Sequence, residues 1–492
     1  MIELTPTIDE HAVDPIYVQL YRYLRQEMTE GRIEAGARLP SVRKLAQRLA
    51  ISRTPIVLAY EQLQAEGYIR SVPRSGLFTE VLPQAHIQPR SYCAASDVCR
   101  EGITGSIGSI AAELYAGKAV RSGQSVIDFG YGAVDWSRFP AGAWRRQLNR
   151  CLQPDDGRMF RYGEPTGEPE LREQIASYLH RNRGVRCDPS SIVIGAGTYQ
   201  SLDLVLQLIG ASGERMHIAS EEAVNDGVQR LFDRHRAVVY PVKLSQDGLH
   251  VEQLADMAPV HAAYVTPSHQ FPIGMTLSAP KRMKLLQWAV SNGAFIIEND
   301  YDGEFRYAGR PIPALQAMDE YGCVAYIGTF SRALTPSFRL SYAVLPPELL
   351  KRFHARGHSY DQLASPLLQQ AMAMFMESGG FGKHMRAMRS LYQRKRDTLL
   401  NALCESFPIG KTVRIAGEGS GLHMLLTWEG KEEGVMINRA EQLGVRVYPV
   451  SCYWLQQLDA PRSTVLLGFG GLTEEQILEG VRLLRRAWTN LR

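Results

Sequence analysis

The chain has 492 residues, 45% of them hydrophobic and 22% charged, with a formal net charge of +4. That composition excludes a low-complexity or disordered chain and leaves room for several domains of roughly 100–200 residues each. No uninterrupted apolar run of about 18 residues predicts a membrane span, the first residues lack the apolar core of a secretory signal, and the seven scattered cysteines form no Cys-x-x-Cys pair, so reduced thiols in a cytoplasmic protein are expected.

The charge is unevenly spread. Between Tyr21 and Ser75, nine arginines and one lysine stand against five glutamates, a net +5 that exceeds the whole-chain value. Taken alone, such a stretch reads as a solvated helical face. Its predicted elements make it more specific. Ile16, Leu20, Tyr23, Leu24 and Met28 recur at helical spacing and predict a helix over 16–30, stopped by Gly31. A short helix follows over 41–49, then a tight turn over 50–52. A third helix spans 53–66 with Val57, Tyr60 and Leu63 on one stripe. Residues 68–78 read as two short strands around the tip Pro73-Arg74-Ser75-Gly76.

Helix, turn, helix and hairpin is the winged helix-turn-helix order, expected to take double-stranded operator DNA as its partner. Ser52, Arg53 and Thr54 occupy the first turn of the second helix of the pair, where hydrogen-bond donors can reach base edges. Pro55 follows at a position where a missing N–H costs nothing. Arg38, Ser41 and Arg43 are candidates for phosphate contacts, Arg74 for the minor groove or the backbone, and Tyr60 completes the candidate DNA-binding set. A helix-turn-helix used only for protein contacts is the bland alternative. The stretch LPSVRKLAQRLAISRTPIVLAYEQLQAEGYI resembles the DNA-binding domain of the GntR superfamily, departing at Pro55, where relatives usually carry threonine.

Residues 81–125 lose sustained periodicity and read as a linker, with a helical patch near 110–119. From residue 126 onward, short apolar runs at 191–194, 216–219, 238–242, 262–266, 295–298, 324–327 and 340–345 alternate with amphipathic stretches, the signature of a mainly parallel sheet. Ligands of such sheets bind at the carboxyl ends of the strands. Gly197 and Thr198 follow one predicted strand in a Gly-x-Gly-Thr turn whose N–H groups could cradle a phosphate, although a lone Gly-x-Gly is more often a plain turn. His269, Asn299 and Tyr301 end two others, and Thr329, Ser331, Arg332 and Arg339 gather hydroxyls and guanidiniums into a candidate anion site.

The segments IDFGYGAVDWSRFPAGAWRR, YGEPTGEPELREQIASYLHRNRGVRCDP, YVTPSHQFPIG, NDYDGEFRYAGRPIPALQ and GTFSRALTPSFRLSYAVLP resemble the MocR/GabR family, in which a GntR-type domain is fused to a fold-type I aminotransferase-like domain. The resemblance covers essentially the whole chain. It implies an α/β fold class: a winged helix-turn-helix over 1–80, a linker over 81–125, and over 126–492 a fold-type I transferase-like domain for pyridoxal phosphate (PLP), with a smaller C-terminal α+β subdomain. It further implies a homodimer, usually head-to-tail, and a small-molecule effector. Where the family carries the lysine that holds PLP covalently, this chain has Arg332; where it carries an aspartate on the pyridine nitrogen, it has Asn299; where an aromatic ring covers the cofactor, it has Asn225. Leu466 stands where an arginine often grips a substrate carboxylate. A guanidinium stays protonated and is a poor nucleophile. No catalytic residue is therefore assigned and no covalent PLP is expected. Three readings stay open: a regulator that binds PLP or another phosphorylated ligand non-covalently, a regulator whose pocket is vestigial and whose large domain only dimerises, and a PLP-dependent aminotransferase with an appended DNA-binding domain.

Overall fold

A computed structural model describes residues 14–83, 126–153, 161–210, 215–257, 259–307, 312–356 and 363–489, with a few isolated positions besides. The helical patch expected near 110–119 lies outside the described residues.

Three helices, Ile16–Thr29, Val42–Leu49 and Arg53–Ala65, enclose a small core of Leu20, Leu24, Met28, Leu45, Ile56 and Leu63. Ser41 caps the second helix by accepting from the Lys44 N–H at 3.3 Å, and Ala50 ends it in the left-handed region at φ 53°. The buried stripe of the third helix is Ile56, Ala59, Tyr60 and Leu63, whereas Val57 is 36% exposed. The expected stripe was therefore out of phase by one residue at its start. Strands Ile69–Val72 and Gly76–Thr79 pair antiparallel, with Arg74 at the hairpin tip in the left-handed region (φ 62°).

Beyond residue 126 the seven expected apolar runs all become strands of one seven-stranded sheet. In spatial order these are Ile192–Gly195, Ser341–Val344, Val324–Thr329, Phe295–Asp300, Ala262–Val265, His217–Glu221 and Val238–Val242. The pairings are parallel except around Ser341–Val344, which runs antiparallel to both neighbours. The residues of the two central strands, Phe295–Asp300 and Val324–Thr329, are aliphatic, aromatic, small or internally bonded, and both strands are buried along their full length, as expected for a sheet covered on both faces. A four-stranded antiparallel sheet of Val413–Ala416, His423–Trp428, Thr464–Gly468 and Tyr448–Pro449 forms the smaller subdomain with the long helix Gly380–Ser406 and helices Glu433–Gln442 and Glu474–Trp488. The strand Ile127–Asp128 joins this subdomain by pairing with Val445–Arg446, which places the following Tyr131 and Gly132 beside the carboxyl edge of the large sheet.

The two parts touch. The Ala279 N–H donates to the Glu66 carbonyl at 2.8 Å. Gly67 at φ 79° lies so near Ser278 that a Cβ there would sit 2.9 Å from the serine Cβ, so only glycine permits this approach.

Candidate functional site

On the small domain, Ser52, Arg53 and Thr54 are all exposed at the start of helix Arg53–Ala65, and Arg38, Ser41, Arg43 and Arg74 are exposed as well. The Arg38 guanidinium lies against Gly76 at the base of the wing, and a groove between the wing and helix Val42–Leu49 is lined by Arg38, Ser41, Lys44, Gln47 and Arg48. Lys44 and Arg48 were missed in the sequence, although their spacing of four places them on one helical face. Tyr60 does not belong to the exposed set. It is 3% exposed, and its hydroxyl donates to the Pro40 carbonyl at 2.9 Å, tying the third helix to the segment before the second. Its ring packs the core because its helical phase is that of Ile56 and Leu63.

On the large domain, a cavity of about 200 Å³ opens at the carboxyl ends of the parallel strands. Eight of the ten expected residues line it: Thr198, Asn225, Asn299, Tyr301, Thr329, Ser331, Arg332 and Arg339. The Thr329 hydroxyl donates to the Ser331 hydroxyl at 3.0 Å and accepts from the Ser331 N–H at 3.2 Å, so the two hydroxyls form one polar corner. Arg339, in the left-handed region at φ 50°, lays its guanidinium over Gly197. A Cβ on Gly197 would sit 2.1 Å from an Arg339 nitrogen.

The other two expectations need correction. Gly197 is not on the cavity wall, and its N–H is already donated to the Ser341 hydroxyl at 3.0 Å, while the Ala196 N–H goes to the Gln200 side chain at 3.0 Å. This glycine makes room for Arg339; its N–H has no capacity left for a phosphate. His269 lies behind the wall, 2% exposed, with Nδ1 3.0 Å from both the Asp302 carboxylate and the Tyr301 hydroxyl. It orients Tyr301 and cannot reach a ligand.

Four aromatic rings that the sequence did not single out, Tyr131, Tyr199, Tyr264 and Phe271, form much of the wall. The Asn225 amide donates to the Tyr131 hydroxyl at 2.5 Å, while its carbonyl oxygen accepts from the Tyr199 hydroxyl and caps helix Asp226–Arg234 through the Gly227 N–H at 2.9 Å. Arg332 stacks its guanidinium over the Tyr131 ring at 4.9 Å. Asn299 donates to the Tyr264 hydroxyl at 2.7 Å and leaves its own carbonyl oxygen buried without a partner. Glu221 is held by the Thr266 hydroxyl at 2.6 Å and by Gln270, and burial pushes its carboxyl up to about 7. Tyr131, Tyr264 and Phe271 lie inside segments that were singled out and Tyr199 follows the Gly197-Thr198 turn, so the segments were marked and only the part these rings play in the wall waited for the fold.

A basic winged domain and a strand-end cavity in an α/β transferase fold together define a DNA-binding regulator with an enzyme-like second domain. Residues 16–79 match the model for bacterial regulatory proteins of the gntR family, and residues 124–481 match aminotransferase class I and II. The chain is 40% identical over 99% of its length to the uncharacterized HTH-type transcriptional regulator YdeL of Bacillus subtilis, covering 100% of that protein. It is 32% identical over 98% of its length to the probable rhizopine catabolism regulatory protein MocR of Rhizobium meliloti, covering 96% of it. Among solved structures, the multiple substrate aminotransferase of Thermococcus profundus superposes with a TM-score of 0.66 at 27% identity, over 77% of this chain and 97% of that one. The chain belongs to the MocR/GabR-type family of HTH-type transcriptional regulators.

Proposed function

We propose that this regulator senses a phosphorylated small molecule, PLP or a relative of it, held without a covalent bond in the strand-end cavity. The reading assigns residues 1–80 to DNA binding, 81–125 to a linker and 126–492 to sensing and dimerisation, in a cytoplasmic homodimer. The observation that carries it is the polar corner of Thr198, Thr329, Ser331 and Arg339, in which a cation and three hydroxyls face one cavity. Such a set suits a phosphate. Asn299, with its buried carbonyl oxygen lacking a partner, faces where a heterocycle would lie. Its amide can be turned end for end against the Tyr264 hydroxyl, which both donates and accepts, so it can serve a ring nitrogen in either protonation state.

PLP, when bound in aminotransferases, supplies an electron sink. Arg332 and Asn299 do not support that use here, the first because it is no nucleophile and the second because a neutral amide does not hold a ring nitrogen protonated. Arg332 instead contributes a fixed positive charge, and the aromatic wall excludes water around the ring. Ligand binding shifts operator affinity only if the ligand distinguishes two conformers of the regulator.

The test is a titration of PLP into the purified protein, followed by absorbance and by operator affinity. Saturable binding without a covalent adduct, lost in Arg339→Gln, is expected. Binding untouched by Arg339→Gln refutes the assignment, and transamination of any amino donor restores the enzyme reading.

A further inference from the structure

The cavity holds two guanidiniums, Arg332 and Arg339, and they do not stand on the same wall. Among the described residues, neither the Arg332 nor the Arg339 guanidinium has a hydrogen bond or ion pair to a protein acceptor; Arg332 is half-buried and Arg339 exposed, and both line the same cavity. Glu221 is the one carboxyl among the lining residues, and its oxygens are taken by Thr266 and Gln270. A half-buried cation without a counter-charge is costly, and a ligand that neutralises Arg332 recovers part of that cost.

The two guanidiniums are anchored on different walls. Arg339 lies over Gly197, next to the loop that precedes helix Thr198–Ile209 and near the Thr329 and Ser331 hydroxyls. Arg332 lies over the Tyr131 ring, close to Gly132, on the segment that enters from the smaller subdomain. Tyr131 is itself fixed by the Asn225 amide and packs on Phe271 at 5.0 Å between ring centres. Stacking restrains the plane of the Arg332 guanidinium and leaves its edge open to hydrogen bonding. A planar guanidinium presented edge-on matches a carboxylate, which it can grip through two parallel N–H···O bonds. Asn299 offers a hydrogen-bonding amide on the same cavity wall, and Val224, Val228 and Phe271 provide apolar surface for a ring.

We infer that the cavity recognises a ligand with two anionic groups, a phosphate monoester at Thr329, Ser331 and Arg339 and a carboxylate at Arg332, joined by a flat ring that reaches Asn299. The inference rests on the phosphate-binding reading above and goes beyond it by assigning the second group. Arg332 thereby becomes a specificity residue that selects an acid over the aldehyde or alcohol of the same skeleton.

The experiment is isothermal titration of the full-length protein with three probes that differ at one ring substituent. These are pyridoxal 5′-phosphate, with an aldehyde; pyridoxine 5′-phosphate, with an alcohol; and 4-pyridoxic acid 5′-phosphate, with a carboxylate. The carboxylate is expected to bind about tenfold or more tighter than the alcohol, the return from a bidentate charge-assisted contact. Arg332→Gln, which keeps Thr329, Ser331 and Arg339 in place, should bring the ratio of the two affinities near unity. Arg339→Gln should weaken all three. Thermal melts of each variant establish that it is folded, and Arg332→Lys, which keeps the charge but loses the fork, serves as a second variant with an intermediate preference. If the three probes bind wild-type protein equally, or if Arg332→Gln weakens all three alike because both arginines serve the phosphate, the second-group assignment falls and the phosphate reading stands. Binding of none of the three overturns both.

Discussion

Replacing Asp300 by asparagine should destabilise the large domain, and the structure sets the magnitude. Asp300 is 4% exposed and Arg183 1% exposed; the carboxylate accepts from Arg183 Nε at 2.7 Å and from the Tyr326 hydroxyl at 2.6 Å. The remaining Arg183 donors go to the Gly303 and Ile312 carbonyls and to the Ser268 hydroxyl. Asparagine preserves the shape and leaves the guanidinium without its anion, a loss of about 3–5 kcal/mol for a buried pair. The neighbourhood softens this. Burial first, and the Asp300 charge second, push the Glu298 and Glu304 carboxyls up to about 7. Without Asp300 these carboxyls ionise more readily and partly replace it, so the expected cost is the low end, about 3 kcal/mol. All six tryptophans lie beyond residue 126, so tryptophan fluorescence in urea reports this domain alone. Asp300 sits between Asn299 and Tyr301 on the strand end, and PLP affinity should fall with stability. A cost below about 1 kcal/mol for this change would refute the argument that charge compensation holds this strand end.

Arg53→Ala should weaken binding to a specific operator about 10- to 100-fold, and to random DNA far less, as for a lost base-edge contact; equal losses in fluorescence anisotropy on both DNAs would reduce Arg53 to a phosphate contact. Tyr60→Phe should cost about 1 kcal/mol of small-domain stability by removing the bond to Pro40 and should leave operator affinity unchanged at temperatures where the domain is folded, an outcome that a DNA-contacting Tyr60 would contradict. The affinity for PLP should peak between about pH 6, where a phosphate monoester loses its second proton, and about 7, to which burial raises the Glu221 carboxyl. Because that value is raised, Glu221 is neutral below it and turns into a repelling anion above it; calorimetry across pH should show the high-pH fall disappear in Glu221→Gln, and a fall that persists would assign it to another group.

The seven strands of the large sheet were legible because each is buried on both faces and so appears as a short apolar run between amphipathic helices. The edges of motifs were less legible, and for a physical reason. In the helix Arg53–Ala65, Val57, Tyr60 and Leu63 satisfy a helical period as well as Ile56, Tyr60 and Leu63 do; only contact with Leu20 and Leu24 decides the phase, and it decides against Val57. Tyr60 belongs to the buried stripe in either phase, and its hydroxyl is taken by the Pro40 carbonyl. The pocket shows the same limit at higher resolution. Eight of its expected residues were found because they follow strand ends, which motif and strand pattern locate together. What each one does was set by partners far away in the chain.

Gly197 illustrates the point most sharply. A glycine in a strand-to-helix turn can be needed for its free N–H or for its missing side chain, and the sequence does not separate the two. The structure does: the N–H is spent on Ser341, and the space where a Cβ would stand is filled by Arg339. Arg332 is the reverse case. Its identity was plain at once, and what the sequence withheld was its surroundings, the Tyr131 ring beneath it and the want of an ion pair to any described carboxylate. A lost lysine reads as damage when seen alone. An arginine stacked on an aromatic ring, with no ion pair to any described carboxylate, reads as a binding group, and that difference follows from the neighbours alone.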